Sequence, residues 1–467
     1  MDGRREPLAS VDSVWLRMDE PGNLMIVTSA LVLREPVPFA CYRELVASRL
    51  DALPRLRQRL VKSRTAFGSL AWETDPRFDL SCHVRLAPLE RPDQRSLQNL
   101  VGRLMSDPLD PCRPPWQIHF VPQYEDGCAV IGRFHHCLGD GLAMLYVLHM
   151  LTDDPPVELT KAAPVPRPGD SHKAFGWLPP RSVSPLVSFT RAAEERPARE
   201  VKAIMARPAS ARDAMRDTMR DLALGAGTVW KLLFMRADSR TVFKGPLSDE
   251  KRAVWSQPIP VDTLKGIARA TGATINDVVL VALAGGLRRY LVAHEQRVDG
   301  VELRALAPVN LRPIEEASKL GNRFGLLFAP LPLGVADPLE RLFAVRETTR
   351  QIKRSPERLL TFLLLRILGV MPSPLFEMVV NLFARRCTVV VTNVVGPCEP
   401  LRMAGATLKQ VMFWAPSAGR LAVDVSLLSY TGNLWVSIAT DGRLTPDPEA
   451  ILEGIEAEIA TLVERAR

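Results

Sequence analysis

Apolar residues along this chain fall into short runs of strand length and longer stretches in which they recur every three or four positions. Residues 8–20 predict a short helix or turn closed by Pro21-Gly22-Asn23, and the β-branched run 24–33 a strand. Helical spacing returns over 39–50 and 93–106, with an extended stretch at 72–84 between them. Pro114-Pro115-Trp116 leads into an alternating strand at 117–121, and Tyr124-Glu125-Asp126-Gly127 turns it into the apolar run Cys128 to Ile131. A helix over 142–151 follows.

A second series begins at Ala253, with a strand over 254–260, a helix over 261–271 and a long helix over 275–294. Thr274 with Asp277 three positions later forms a capping box, in which each side chain bonds the other's backbone N–H. Strands are predicted at 303–309, 326–333 and 387–391, the last ending in Thr392-Asn393-Val394-Val395-Gly396-Pro397. Helices cover 339–352, 358–370 and 374–383; for the last two, core packing is favoured over a lipid-facing patch beside the substrate entrance, because exposed apolar patches of that size are uncommon. A hairpin at 421–440 and an amphipathic helix over 447–465 close the chain. The two halves share an order of elements, which predicts an α/β (α+β) architecture of two related domains, each a mixed sheet with packed helices, facing a cleft. The expected boundaries are 1–152, a proline-rich and basic helical linker over 153–252, and 253–467.

Length and composition agree, since 467 residues exceed one core and 47% hydrophobic content supplies ample apolar surface. A net charge of +8 favours an acidic partner, namely a nucleic acid, an anionic membrane or a phosphorylated cofactor. Nucleic acid is the weakest of these, because neither zinc-finger spacing nor an RNA-binding aromatic motif is present. Fourteen Lys and Arg against nine Asp and Glu between Arg191 and Arg252 make a local excess of five, suited to an anionic lipid surface or to a solvated helix between domains. The seven scattered cysteines lack C-x-x-C spacing and read as reduced thiols, without a zinc or redox site. Neither a secretory signal nor a transmembrane run is expected.

The chemistry concentrates in Arg133-Phe134-His135-His136-Cys137-Leu138-Gly139-Asp140-Gly141, between a strand and a helix. A histidine there is a natural general base, because its ordinary pKa lies near neutrality. Strand alternation lets only one of His135 and His136 face a given cavity, and spacing does not say which. If His136 faces it, Cys137 is turned away and is no nucleophile. Asp140 suits the cap of the following helix.

With those residues in view, the motif set resembles the bacterial wax ester synthase/diacylglycerol acyltransferase family, within the coenzyme-A-dependent acyltransferases that include chloramphenicol acetyltransferase and condensation domains. His135-His136-x-x-x-Asp140-Gly141 is common to that whole group. The narrower likeness rests on Leu8-Ala9-Ser10-Val11-Asp12, Asn23-Leu24-Met25, Pro114-Pro115-Trp116, Asn276-Asp277, Gly321-Asn322-Arg323 and the 392–397 segment. Pro115, Thr392, Val395 and Ile26 depart from the family's usual Leu, Ser, Pro and His, and none removes an acid-base group from the proposed centre.

The resemblance implies a chloramphenicol-acetyltransferase-like fold with the active site in a channel between the domains. It implies that His136, backed by His135, is the base, that Asp140 pairs with an arginine away from substrate, and that Gly141 admits a close backbone approach. Asn276 donates to substrate or is part of the cap beside Asp277; Trp116, Asn393 and Gly396 bind substrate or support the site. The implied co-substrate is acyl-CoA, with no bound cofactor and no metal. The acceptor is diacylglycerol or a long-chain alcohol. A cytoplasmic protein is implied, with peripheral contact to the inner membrane face or lipid inclusions, a second copy as partner and no nucleic acid. Two alternatives stay open at this point: a condensation-type transferase and a catalytically silent lipid-binding homologue.

Overall fold

The computed structural model describes residues 5–63, 70–155 and 235–466, except 314, 315, 317, 319, 356 and 418. Two mixed sheets carry most of it. The first runs in the order Arg402–Met403, Ala406–Trp414, Ile26–Leu33, Gly127–His135, Trp116–Tyr124 and Val84–Leu86, with only the last pair parallel. Its central strand Gly127–His135 is buried at every position, because the sheet is covered on both faces. That is why its sequence reads as a continuous apolar run from Cys128 to Ile131. Helices Phe39–Arg49 and Gln94–Ser106 contribute Tyr42, Val46, Leu97 and Val101 to the core against Phe120 and Ile131.

The second sheet is ordered Phe324–Leu331, Leu303–Asn310, Val389–Val395, Val423–Tyr430, Asn433–Asp441 and Lys251–Trp255, with Ile259–Pro260 also pairing Asn433–Asp441. Helices Val261–Thr271, Ile275–Ala293, Pro338–Arg354 and Pro448–Arg465 pack on it. Ile275–Ala293 is apolar nearly all round because it is wedged between the sheet and the closing helix. A Cβ on its Gly286 would stand 2.9 Å from the Ile451 carbonyl oxygen, so glycine sets how closely the two helices approach. No single described helix is long and apolar enough to cross a membrane. A small third sheet joins Glu6–Pro7, Leu70–Thr74 and Gln58–Lys62.

Several boundaries differ from the sequence reading. The stretch 72–84 is not continuously extended: its strand ends at Thr74, and a 3-10 turn at Leu80–Cys82, capped by Asp79, precedes Val84–Leu86. The 254–260 strand divides in two. The 387–391 strand begins later and continues through Val395, so Thr392 and Asn393 are strand residues rather than loop.

The largest difference is the unforeseen strand Ala406–Trp414, which pairs antiparallel with Ile26–Leu33 and so returns from the second half into the first sheet. A segment 253–467 folded wholly on itself is therefore not what the topology shows. Within the expected linker, residues 235–252 are seated on the second half, where Asp238 accepts from the Arg304 backbone N–H, its guanidinium and the Thr388 hydroxyl. The basic helix expected near 191–221 and the proline-rich stretch to about 180 lie outside the described residues, apart from 153–155.

Helices Glu357–Leu368 and Ser373–Ala384 were expected in the core. Each buries one side only, and Leu363, Ile367, Val370, Leu375 and Met378 are exposed.

Candidate active site

The central strand of the first sheet runs out at His135, and a 3-10 turn, His136–Leu138, carries the chain toward helix Gly141–Met150. His135 Nδ1 accepts from the Cys137 N–H at 3.1 Å, which places its proton on Nε2, 3.8 Å from Asp19 Oδ2. His135 is thereby committed to holding the turn. His136 is gripped through its backbone: its N–H donates to the Met25 carbonyl at 2.8 Å, and its carbonyl accepts from Asn322 Nδ2 at 2.7 Å. Its ring stacks on Trp15 with centroids 4.1 Å apart and lies 5.9 Å from Phe324. Some of His136 stays accessible, yet the protein packed around the imidazole disfavours its charged form and lowers its pKa to about 4. The ring is therefore neutral at physiological pH, the form a base requires.

Cys137 is buried, and burial raises its thiol pKa well above the ordinary value, which suppresses the thiolate. The 3-10 turn, rather than strand alternation, sends it into the core. All seven cysteines are free.

Asp140 is consumed by structure. Its Oδ1 caps the helix by accepting the Ala143 N–H at 3.1 Å, while Oδ2 accepts the Arg323 N–H at 2.9 Å and pairs with Arg312 at 3.4 Å. Both members of that ion pair are buried, as the expected Asp–Arg pairing requires.

The second half reaches this turn through Gly321-Asn322-Arg323. Gly321, at φ +106°, runs parallel to Gly139, donating to the Leu138 carbonyl at 2.9 Å and accepting the Asp140 N–H at 3.3 Å. A side chain at that φ would be strained. Asn322 then presents both its backbone N–H and Nδ2 to Asp12 Oδ1, at 2.9 and 2.8 Å. Asp12, Trp15, Asn322, Phe324 and Arg312 were not among the expected site residues. Asp12 and Gly321-Asn322 were visible as motifs without a role, whereas the placement of Trp15 and Phe324 over His136 left no mark in their spacing.

Burial raises the Asp12 carboxyl from 3.8 to about 6, so the folded protein holds that proton more tightly than the unfolded chain does. Its contribution to stability is complete below about pH 4 and is lost as pH rises through about 6. Asp12→Asn keeps an acceptor oxygen but removes the titration. Its stability relative to wild type should rise across that window by about 3 kcal/mol at most. Urea denaturation of both proteins at intervals from pH 4 to 7 measures this; parallel stability curves would show that Asp12 does not titrate there.

Asn276 and Asp277 open the long helix, and they divide in role. Asp277 is spent on the predicted capping box with Thr274 and on the Thr349 hydroxyl at 2.6 Å. Asn276 accepts from Asn393 Nδ2 at 2.7 Å, tying the helix to strand Val389–Val395. On that strand the Thr392 hydroxyl and Asn393 Oδ1 are buried without a partner. Its next residue, Val394, puts Cγ2 3.3 Å from where a Cβ on Gly141 would lie. Gly396 donates to the Ser429 carbonyl at 2.9 Å, an approach too close for a side chain. Trp116 stands apart in the core of the first half, donating to the Leu56 carbonyl at 2.7 Å and stacked on His83. Among the described residues no group of His, Cys, Asp or Glu is arranged to hold a metal ion.

The fold is that of the two-domain, chloramphenicol-acetyltransferase-like proteins. It matches the wax ester synthase/diacylglycerol acyltransferase of Marinobacter aquaeolei VT8 over 99% of both chains, with a TM-score of 0.65 at 21% identity. It also matches the first condensation domain of the calcium-dependent antibiotic synthetase, with a TM-score of 0.60 at 16% identity over 99% of this chain and 96% of that one. In sequence, residues 8–279 match the wax ester synthase/diacylglycerol acyltransferase catalytic domain and 320–463 the WS/DGAT C-terminal domain. The chain belongs to the wax ester synthase/diacylglycerol acyltransferase family and is an acyltransferase. A probable diacylglycerol O-acyltransferase of Mycobacterium tuberculosis is 28% identical over 465 residues, covering 98% of this chain and 95% of its own.

Proposed function

We propose that the protein transfers a long-chain acyl group from acyl-CoA to the hydroxyl of diacylglycerol or a long-chain alcohol, with His136 as general base. The observation that carries this is the neutral His136 ring, stacked on Trp15 and pinned through its backbone by elements from both halves. His136 Nδ1 is buried, which leaves Nε2 as the nitrogen that receives the hydroxyl proton. The alcohol oxygen attacks the thioester carbonyl, a tetrahedral oxyanion forms, and its collapse expels the coenzyme A thiolate, which takes the proton back from His136. Asn276 is the candidate donor to that oxyanion: Asn393 occupies its amide oxygen and leaves the NH₂ end for another partner. Asp140, Asp277 and Gly396 hold the frame, and Gly141 keeps the Val394 side of the site open.

The acceptor lipid resides in a membrane or lipid inclusion, so the working place of the enzyme is the cytoplasmic face of such a surface. Purified protein given palmitoyl-CoA with dipalmitoylglycerol and, in parallel, hexadecanol should form triacylglycerol, wax ester or both. Lipid binding without ester formation from either acceptor would instead identify a catalytically silent homologue.

A further inference from the structure

We propose that the outward face of helices Glu357–Leu368 and Ser373–Ala384 is the surface on which this enzyme docks to an anionic lipid bilayer. The inference rests on the acyl-transfer reading and adds where the lipid phase meets the protein. An ordinary surface helix turns its apolar side inward. Glu357–Leu368 partly inverts that rule. It buries Arg358 and Thr361, the latter spent on Leu326 backbone groups, and exposes Leu363 and Ile367, with Val370 just beyond its end. These three stand at i, i+4 and i+7, one stripe of a helix. Leu375 and Met378 extend it on the next helix, and exposure reaches 76% at Val370 and 60% at Met378. Packing within the described protein does not account for such a grouping.

Two observations select the occupant. The first is continuity with the catalytic histidine. Leu365, Leu368 and Phe376, on the inner sides of the same helices, share one apolar cluster with Trp15 and Phe324, the rings that flank His136. Helix Ser10–Met18, which carries Trp15, is bonded to the end of the first docking helix through Ser13 to the Gly369 carbonyl and Arg17 to the Leu368 carbonyl. The helices that carry the stripe thus pack on the same apolar cluster as the rings beside the base.

The second is charge. Within 350–386 the exposed charged side chains among those described are Arg350, Arg366 and Arg385 against Glu377, and Arg366 lies within the stripe. Anionic headgroups complement that excess. A second copy of the chain would bring two faces of like charge together, which opposes self-association here.

The test uses the full-length enzyme and vesicles of phosphatidylglycerol with phosphatidylcholine, compared with phosphatidylcholine alone. Wild type should float with the anionic vesicles, and Val370→Glu/Met378→Glu should reduce the bound fraction at least tenfold. With palmitoyl-CoA and octanol in free solution the variant should turn over as wild type does, whereas transfer to diacylglycerol in vesicles should fall with binding. Flotation of the variant equal to wild type would overturn the proposal, as would a wild type that binds neither vesicle. A change in oligomeric size without a change in flotation would assign the face to a second copy and overturn it too. If flotation depends on the stripe but wild type esterifies no acceptor, the docking face stands and the acyl-transfer reading fails.

Discussion

Replacing His136 with alanine should lower kcat/KM for acyl transfer by about 10²–10⁴-fold, the usual contribution of a positioned base, while the protein stays folded. The fold survives because the main-chain bonds of residue 136 to Met25 and Asn322 do not depend on the imidazole. The side chain contributes a stack on Trp15 and a proton acceptor, and only the second is chemically irreplaceable. A companion result concerns pH. Burial brings the His136 pKa to about 4, so the free enzyme already holds the basic form above about pH 5. The kcat/KM profile should therefore run flat through pH 6–7, where an ordinary histidine would impose a falling acid limb. Wild-type turnover in His136→Ala would remove the base assignment, and a limb near pH 6.5 would show a more solvated ring than the packing describes.

Asp140→Ala should act first on stability. Its carboxylate pairs with buried Arg312, caps helix Gly141–Met150 and accepts the Arg323 N–H, so alanine strands a buried cation and two backbone donors. Removing one partner of a buried ion pair costs about 3–5 kcal/mol, and loss of an N-cap adds about 1 kcal/mol. Chemical denaturation measures the sum, and Asp140→Asn, which keeps an oxygen for Ala143, should fall between alanine and wild type. The two histidine-motif variants thus separate by readout, His136→Ala losing turnover at near-normal stability and Asp140→Ala losing stability. An Asp140→Ala protein as stable as wild type would contradict the scaffold role.

Much of this was legible locally. A central strand buried on both faces must be written in apolar residues, so Cys128 to Ile131 could be read as one. Thr274 and Asp277 lie one helical turn apart, and their reciprocal cap forms as their spacing requires. Asp140 could be recognised as a helix cap, and likeness to the family supplied its arginine partner, which the fold places at Arg312.

Other features were hidden for identifiable reasons. Strand Ala406–Trp414 has a register shift between Leu408 and Gln410 and is buried continuously from Val411 to Trp414, which erases a period of two. Its partner lies nearly 400 residues away in sequence, where no local pattern reaches. Helix Glu357–Leu368 hides its meaning differently: an apolar composition says that a helix avoids water, but not whether protein or lipid replaces it.

Taken alone, the sequence determined the strand, turn and helix around His135 and His136, the capping box, the mixed α/β class and the family likeness. Each follows from neighbours within a few residues or from motif identity. Tertiary structure alone decided that His136 stacks on Trp15, that Asn322 joins its carbonyl to Asp12, and that a late strand completes the first sheet. Those contacts join residues 121, 186 and 310 positions apart, or pair strands from opposite ends of the chain; the first forms within the first half, and the others exist only once the two halves have closed on one another.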